Sequence, residues 1–262
     1  MKIGRQPYRS SAISSSNEET IIVRGHDLCT ELLGRISFTD HVWLLVTGTL
    51  PTPAQRAVLD ATLVAIAEHG LVPSVQASRM TLAAAPEALQ GAVAAGILGC
   101  GSVILGASEA AGRLLADVLA RAAGAPSLDE AAHAAVRVEL AAGRAVAGYG
   151  HPLHKGRDPR AERLLEIAAE VGSAARHVEA ARAVARALPA LTGKPLAMNV
   201  SAAIPAVLLD AGYPLLALKG VPILARTASL VAHLLEEQQR PIGFVLSRAG
   251  AEAIEYDGEG KP

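Results

Sequence analysis

The stretch Gly148-Tyr149-Gly150-His151-Pro152-Leu153-His154-Lys155-Gly156-Arg157-Asp158-Pro159-Arg160 gathers residue types that do chemistry. Glycines let the backbone approach a neighbour or a ligand closely. The histidines exchange protons near neutrality. Arginines grip carboxylates or phosphates through paired N–H groups. A loop of this kind suits an anionic substrate, although a polar surface connection between two helices has the same composition. The other polar punctuation at helix ends is sparse: His69, Arg226 and Arg240. An enzyme acting on a di- or tricarboxylate needs two or three arginines to neutralise its ligand, and a histidine to hydrogen-bond a carbonyl or hydroxyl. This chain can supply that set, but spacing alone does not show that its members converge.

The elements that must position these residues are helices. Hydrophobic residues make up 51% of the 262 and aromatic residues only 3%, so the core is expected to be close-packed from small aliphatic side chains. Helical periodicity runs through residues 42–46, 53–68, 75–84, 86–101, 107–123, 128–142, 160–171, 173–188, 200–209 and 222–237. A short strand is expected at 21–23 and a weaker one at 243–246. Residues 1–20 read as an extended polar arm, 189–195 as a loop, and the segment from Gly250 as a mobile tail. Asp27, Ser74 and Ser127 are candidate N-caps, the last with Glu130 as a capping box. His69 falls at a helix end, where a lone histidine is commonly a capping or surface residue. Arg226 and His233 share one helix face. Residues 86–101 are apolar on every side, which points to a subunit interface or a central core helix. The fold class is all-α.

Net charge is −1 and the isoelectric point about 6.7, so no basic excess favours nucleic acid as a partner. No uninterrupted apolar run reaches the length of a membrane span, and the first twenty residues lack the apolar core of a signal peptide. Cys29 and Cys100 have no metal-ligand spacing and read as buried thiols. No metal site is expected, and the default location is cytoplasmic.

GYGHPLHKGRDPRAERLL resembles the signature of the citrate synthase family, in which glycine, aromatic, glycine and histidine precede Asp-Pro-Arg. RGHDLCTELLGRISFTDHVWLLVTGTLPT resembles the family's N-terminal segment, and AEHGLVPSVQASR its first histidine segment. ALQGAVAAGILGCGS resembles the interface helix that follows, and ARTASLVAHLLEEQQRP the C-terminal arginine helix. The similarity covers residues 10–243, and the short length resembles the citryl-CoA lyase-like branch. It implies a two-domain helical homodimer, with residues 1–106 and 216–262 as the large domain and 107–215 as a small, mobile, coenzyme A-binding domain. It implies that His69 and His151 contact a 2-oxo dicarboxylate such as oxaloacetate, that Arg160 and Arg226 hold its carboxylates, and that Arg240 reaches the partner subunit's site. Gly148, Tyr149 and Gly150 would lie against coenzyme A, with Lys155 or Arg157 near its phosphates. Coenzyme A enters as a substrate, acetyl-CoA or citryl-CoA, and no permanently bound cofactor is implied.

Two positions depart from the family pattern. Ile104 stands where the family has its second catalytic histidine, and Ser201 stands where it has its catalytic aspartate. Isoleucine donates no hydrogen bond and serine is a poor base without an activator. Both departures fall on the machinery that enolises an acetyl group. The expected activity is a citryl-CoA lyase or citrate synthase-type acyltransferase, with His151, His69 and Ser201 as catalytic candidates and His154 as a displaced proton carrier. The alternative is a homologue that binds coenzyme A and a dicarboxylate without turnover.

Overall fold

The computed structural model describes residues 9–101, 105–150 and 156–259. Among them are eleven α-helices and one small sheet, as the all-helical reading expects. The N-terminal arm is not merely extended. β1 (Ser14–Ser16), β2 (Ile21–Val23) and β3 (His26–Asp27) form an antiparallel sheet in that order. Arg24, at φ +50°, turns the chain between β2 and β3. Its guanidinium donates to the Leu45 carbonyl at 2.6 and 3.0 Å, which fastens the sheet to the helix that follows.

Asp27 caps a single wide turn at Leu28–Leu32, accepting from the backbone N–H groups of Cys29 and Thr30. Then come α1 (Phe38–Thr47), α2 (Pro53–Ala67), α3 (Pro73–Ala84), α4 (Leu89–Leu98), α5 (Ala107–Ala122), α6 (Leu128–Ala141), α7 (Pro159–Glu170), α8 (Arg176–Thr192), α9 (Val200–Asp210), α10 (Gly220–Gln239) and α11 (Gly243–Glu252). The starts are written in the local sequence. Ser37 with Asp40 and Thr52 with Gln55 form reciprocal capping boxes, each closing two otherwise unpaired backbone donors. Pro53, Pro73 and Pro159 occupy first-turn positions, where a missing N–H does no harm.

Several expected boundaries are corrected. Val72, not Ser74, occupies the N-cap of α3, and the buried Ser74 hydroxyl has no partner among the described residues. Ser127 caps α6 through the Glu130 N–H, but the return bond of a capping box is not formed. The expected loop at 189–195 begins late, because α8 continues through Pro189 to Thr192 and ends at Gly193 in the left-handed conformation. The weak strand at 243–246 lies inside α11: the apolar run there belongs to a helix whose Phe244 and Val245 face outward.

The principal core joins Trp43 of α1 and Val58 and Leu59 of α2 to the inner faces of α5–α9. Alanines 131, 132, 135, 180, 181, 183, 202, 203 and 206 line it. Small side chains let the helix backbones approach, and close packing replaces the missing aromatic volume. Where α5 meets the turn before α10, a Cβ on Gly112 would stand 2.5 Å from Leu218 Cδ1. Trp43 meets Tyr213 edge-on at 5.4 Å.

One segment, Leu215–Gln239, is long and apolar enough by length and composition to cross a membrane, although charged residues interrupt it, as the sequence reading expects of every apolar run. A core helix satisfies the same test. Here Leu230 and Leu234 are fully buried and a buried arginine interrupts the run.

Candidate functional site

Four chain segments meet around two arginines. The turn after α2 brings Glu68 and His69, the start of α7 brings Asp158 and Arg160, the start of α9 brings Asn199 to Ser201, and α10 brings Arg226, Ser229 and His233.

Asp158 joins two of these helices. Only 1% exposed, it caps α7 by accepting from the Arg160 N–H. It also accepts the Val200 N–H of α9 at 3.0 Å. Its two oxygens receive the Arg160 guanidinium at 3.0 and 2.9 Å, a paired contact that fixes the plane of the arginine. Burial pushes the Asp158 carboxyl up, but the Arg160 and Val200 hydrogen bonds outweigh it and hold the group below the usual aspartate range.

The third arm of Arg160, Nη1, lies 2.6 Å from His69 Nε2. A guanidinium only donates, so Nε2 accepts and the imidazole is neutral with its proton on Nδ1. Burial, followed by the charges of Arg226 and Arg160, holds His69 below its ordinary pKa, which agrees with this assignment. The neighbouring Glu68 carboxylate accepts from the Gly70 N–H, from the Ser229 hydroxyl and from His233 Nε2 at 3.0 Å. Burial pushes this carboxyl up too, but the three hydrogen bonds bring it down to about 2. Glu68 thereby ties the His69 turn to α10, one turn from Arg226.

Arg226 is 2% exposed, and its Nε and Nη1 have no partner among the described residues. The same is true of His69 Nδ1. Burial lowers the Arg226 pKa, with the Glu68 carboxylate acting the other way, but a guanidinium stays charged in a protein. A buried cation without a partner is costly. Among the described residues the site therefore offers unpartnered hydrogen-bond donors from two side chains, one of them a buried guanidinium. That arrangement is matched by an oxyanion such as a carboxylate.

Of the sequence-derived candidates, His69, Arg160 and Arg226 are thus brought together. Ser201 is half-buried in the first turn of α9, its N–H donating to the Asn199 side chain at 2.8 Å. Asp158 holds the adjacent Val200. Gly148 to Gly150 run beside this turn: Asn199 donates to the carbonyls of Gly148 at 2.9 Å and Gly150 at 2.6 Å. Gly148, at φ +87°, has its close approach within the chain, since a Cβ there would lie 2.5 Å from the Ala202 Cβ. The Tyr149 ring turns into the core and its hydroxyl donates to the Ala181 carbonyl at 2.8 Å, so this side chain does not face a ligand. Arg157 is exposed and pairs with Glu162 at 3.3 Å. Arg240 is exposed at the end of α10, about 21 Å farther along the helix axis than Arg226 at 1.5 Å per residue. His151, His154, Lys155 and Ile104 lie outside the described residues.

The sequence reading gave no role to Glu68 and Ser229, and did not assign Asp158 its part as a joint. A signal for Asp158 existed: an aspartate directly before a proline, with a helical pattern beyond, reads as an N-cap followed by Pro at the first helical position. For Glu68 there was none, because its partners come from a helix 161 and 165 residues away.

The family model for the citrate synthase C-terminal domain matches residues 53–244. The citryl-CoA lyase of Hydrogenobacter thermophilus superposes with a TM-score of 0.86 at 29% identity, covering 98% of this chain and 97% of that one. The ATP citrate lyase of Methanothrix soehngenii, solved with citrate and coenzyme A, gives 0.79 at 22% identity over 98% of this chain and 43% of its own. The citrate synthase of Thermoplasma acidophilum, in ternary complex with carboxymethyl coenzyme A and oxaloacetate, gives 0.64 at 19% identity over 78% and 54%. No curated protein sequence matches the chain.

Proposed function

The chain belongs to the citrate synthase family, and on that premise we propose that it acts on citryl-CoA, cleaving it to acetyl-CoA and oxaloacetate or catalysing the reverse condensation. The observation that carries this reading is the donor set of His69 Nδ1 and Arg226 Nε and Nη1, without partners among the described residues and beside the Asp158-clamped Arg160. Two cationic groups and a neutral histidine suit an acid with more than one carboxylate. The likeness to a citryl-CoA lyase over nearly the whole of both chains supports the substrate class.

In cleavage, the hydroxyl of the citryl group loses its proton as the oxygen becomes the carbonyl of oxaloacetate. The adjacent carbon–carbon bond breaks, its electron pair passes to the acetyl thioester as an enolate, and that carbon takes up a proton. Arg226 and Arg160 would hold the carboxylates, and the His69 Nδ1–H would hydrogen-bond a carboxylate or the developing carbonyl oxygen. His151 is proposed to polarise that same oxygen, and Ser201 to hold a water or the thioester oxygen. Gly148 and Gly150 are proposed to pass along coenzyme A through their backbone, with Lys155 and Arg157 toward its phosphates. Residues 107–215 are proposed to close over the substrate.

A homodimer is part of the same proposal. In α4 only Ala92 and Gly96 are buried, and Leu98 is 86% exposed. Phe244 of α11 is 69% exposed, and Val231 and Leu235 of the adjoining α10 are also outward. Large apolar residues exposed on neighbouring helices mark an association surface. An Arg240 too distant for its own Arg226 fits a role in the partner's site. A cytoplasmic location is proposed on the same footing.

One observation favours the second reading, binding without turnover. The two carboxylates of the described site, Glu68 and Asp158, are fully engaged by hydrogen bonds and held ionised; the resemblance further implies that Ser201 stands in place of the family's aspartate. Incubating the purified protein with citryl-CoA separates the readings. Release of acetyl-CoA and oxaloacetate supports the lyase. Tight oxaloacetate or coenzyme A binding by calorimetry with no turnover in either direction supports the binding protein.

A further inference from the structure

The corner between α10 and α11 is fastened from inside by an ion pair. Arg79, in the middle of α3, and Glu237, in the last turn of α10, are 2% and 3% exposed. Arg79 Nε donates to Glu237 Oε2 at 2.6 Å, and its Nη1 donates to Glu236 Oε2 at 2.7 Å. The third arm, Nη2, donates to the backbone carbonyl of Arg240 at 3.2 Å. Glu237 holds the chain beyond: its Oε1 accepts the N–H groups of Ile242 at 3.0 Å and Gly243 at 2.7 Å. Burial pushes the Glu237 carboxyl up, but Arg79 and these two N–H groups outweigh it and hold the group below the usual glutamate range. The Arg240 N–H donates to the Glu236 carbonyl at 2.6 Å. α11 then closes tightly on α3, where a Cβ on Gly243 would stand 2.6 Å from Ala83 Cβ and 2.7 Å from the Arg79 carbonyl oxygen.

The last carbonyls of a helix lack intrahelical partners, and helix ends fray. Here the backbone is tied at Arg240 itself and again just past Pro241. The Arg240 side chain is exposed, yet the direction in which it leaves the backbone is fixed. A buried ion pair adds little stability over an apolar pair of similar volume, and its best-attested use is to specify one geometry. Leu235, Phe244 and Val245, on the two helices that meet at this corner, face outward on the surface proposed above for association. We propose that Arg79 and Glu237 are positioning residues, which hold Arg240 at the angle from which it reaches a substrate carboxylate in the partner's acid pocket. This rests on the reading of Arg240 as a residue of the partner's site. Neither member of the pair touches substrate: both act through the backbone on either side of Arg240.

The experiment is a double-mutant cycle on the full chain, read by oxaloacetate calorimetry. Arg79→Lys keeps the buried charge, but a compact ammonium cannot serve Glu236, Glu237 and the Arg240 carbonyl with the fork of a guanidinium. This variant should bind oxaloacetate about tenfold more weakly, and Arg240→Gln at least as weakly, as expected for losing a hydrogen bond to a charged group. In the Arg240→Gln background, Arg79→Lys should cost less than about twofold more, because two residues that act through one contact are not additive. A purely structural pair would lower affinity equally in both backgrounds. That result, or parent affinity in Arg79→Lys, would overturn the proposal. Thermal unfolding reports whether the variant folds. If Arg79→Lys does not, Glu237→Gln, which keeps the shape and an acceptor for Ile242 and Gly243, takes its place in the same cycle with the same two readings. A parent protein that binds no dicarboxylate would overturn the proposed function, and an Arg240→Gln variant that binds as the parent does would overturn the role given there to Arg240. Either result, seen before Arg79 is altered, also removes this proposal.

Discussion

Arg160 and His69, 91 residues apart in sequence, meet at 2.6 Å through Nη1 and Nε2. Because the arginine can only donate, this one contact sets the tautomer of the histidine and points its remaining N–H away from Arg160. The same arginine is held from behind by Asp158, so the orientation of His69 depends on a carboxylate that caps a helix.

Replacing Asp158 with asparagine should therefore do two things at once. It removes the charge of a buried pair and weakens the joint between α7 and α9, a loss of about 3 kcal/mol. It also frees Arg160 and with it His69. Thermal unfolding and oxaloacetate calorimetry on the same sample should show both stability and affinity falling. A stable variant with unchanged affinity would refute the joint.

Arg226→Met should separate the two properties. The free protein loses a buried cation whose Nε and Nη1 have no partner among the described residues, and should be as stable as the parent or more so. Oxaloacetate affinity should fall about 30-fold or more, the loss on removing one partner of a buried charge pair. A large drop in melting temperature without ligand would contradict the account of Arg226 given above.

The acid limb of the stability curve should carry a mark of Glu68. Its carboxyl lies at about 2 in the folded protein against 4.5 for the free group. A depressed acid contributes stability that is present above the unfolded value and is lost as pH falls through the folded one. Urea unfolding between about pH 4.5 and 2 should thus be less pH-dependent in Glu68→Gln than in the parent. His69 adds a second slope of the same sign: its folded pKa lies below 6.5, so stability falls as pH drops beneath that value, and His69→Gln should remove this component.

Gly148→Ala should destabilise the protein by about 1–3 kcal/mol, through the left-handed backbone and the clash with Ala202. Denaturant melts measure this, and a neutral result would mean that the 148–150 segment can move off α9.

Ser201→Asp tests the proposal that this residue stands where the resemblance implies the family's catalytic base. If that position is what limits condensation, the variant should form citryl-CoA or citrate from acetyl-CoA and oxaloacetate faster than the parent. No gain, with oxaloacetate affinity retained, would shift the explanation to Ile104.

Much of this molecule is determined locally. The helical period of small aliphatic residues, the caps at Ser37, Thr52 and Asp158, and the prolines at first-turn positions each act within a few residues, so the sequence alone specifies an all-helical chain and most of its helix boundaries. The grouping of His69, Arg160 and Arg226 was legible only through likeness to a family, because nothing in their spacing brings distant turns together. Where local signals competed, packing decided: Phe244 and Val245 went to a helix, Pro189 stayed inside α8, and Ser74 gave up the cap to Val72. Tertiary structure alone revealed that the Tyr149 side chain belongs to the core, that Asp158 joins two helices, and that Glu68 braces the His69 turn against α10. It alone revealed that Arg226 is buried with two donors that no described residue takes up. Those properties depend on which surfaces close over a charge and which carbonyls and carboxylates arrive beside it, and both are fixed by helix contacts between residues far apart in the chain.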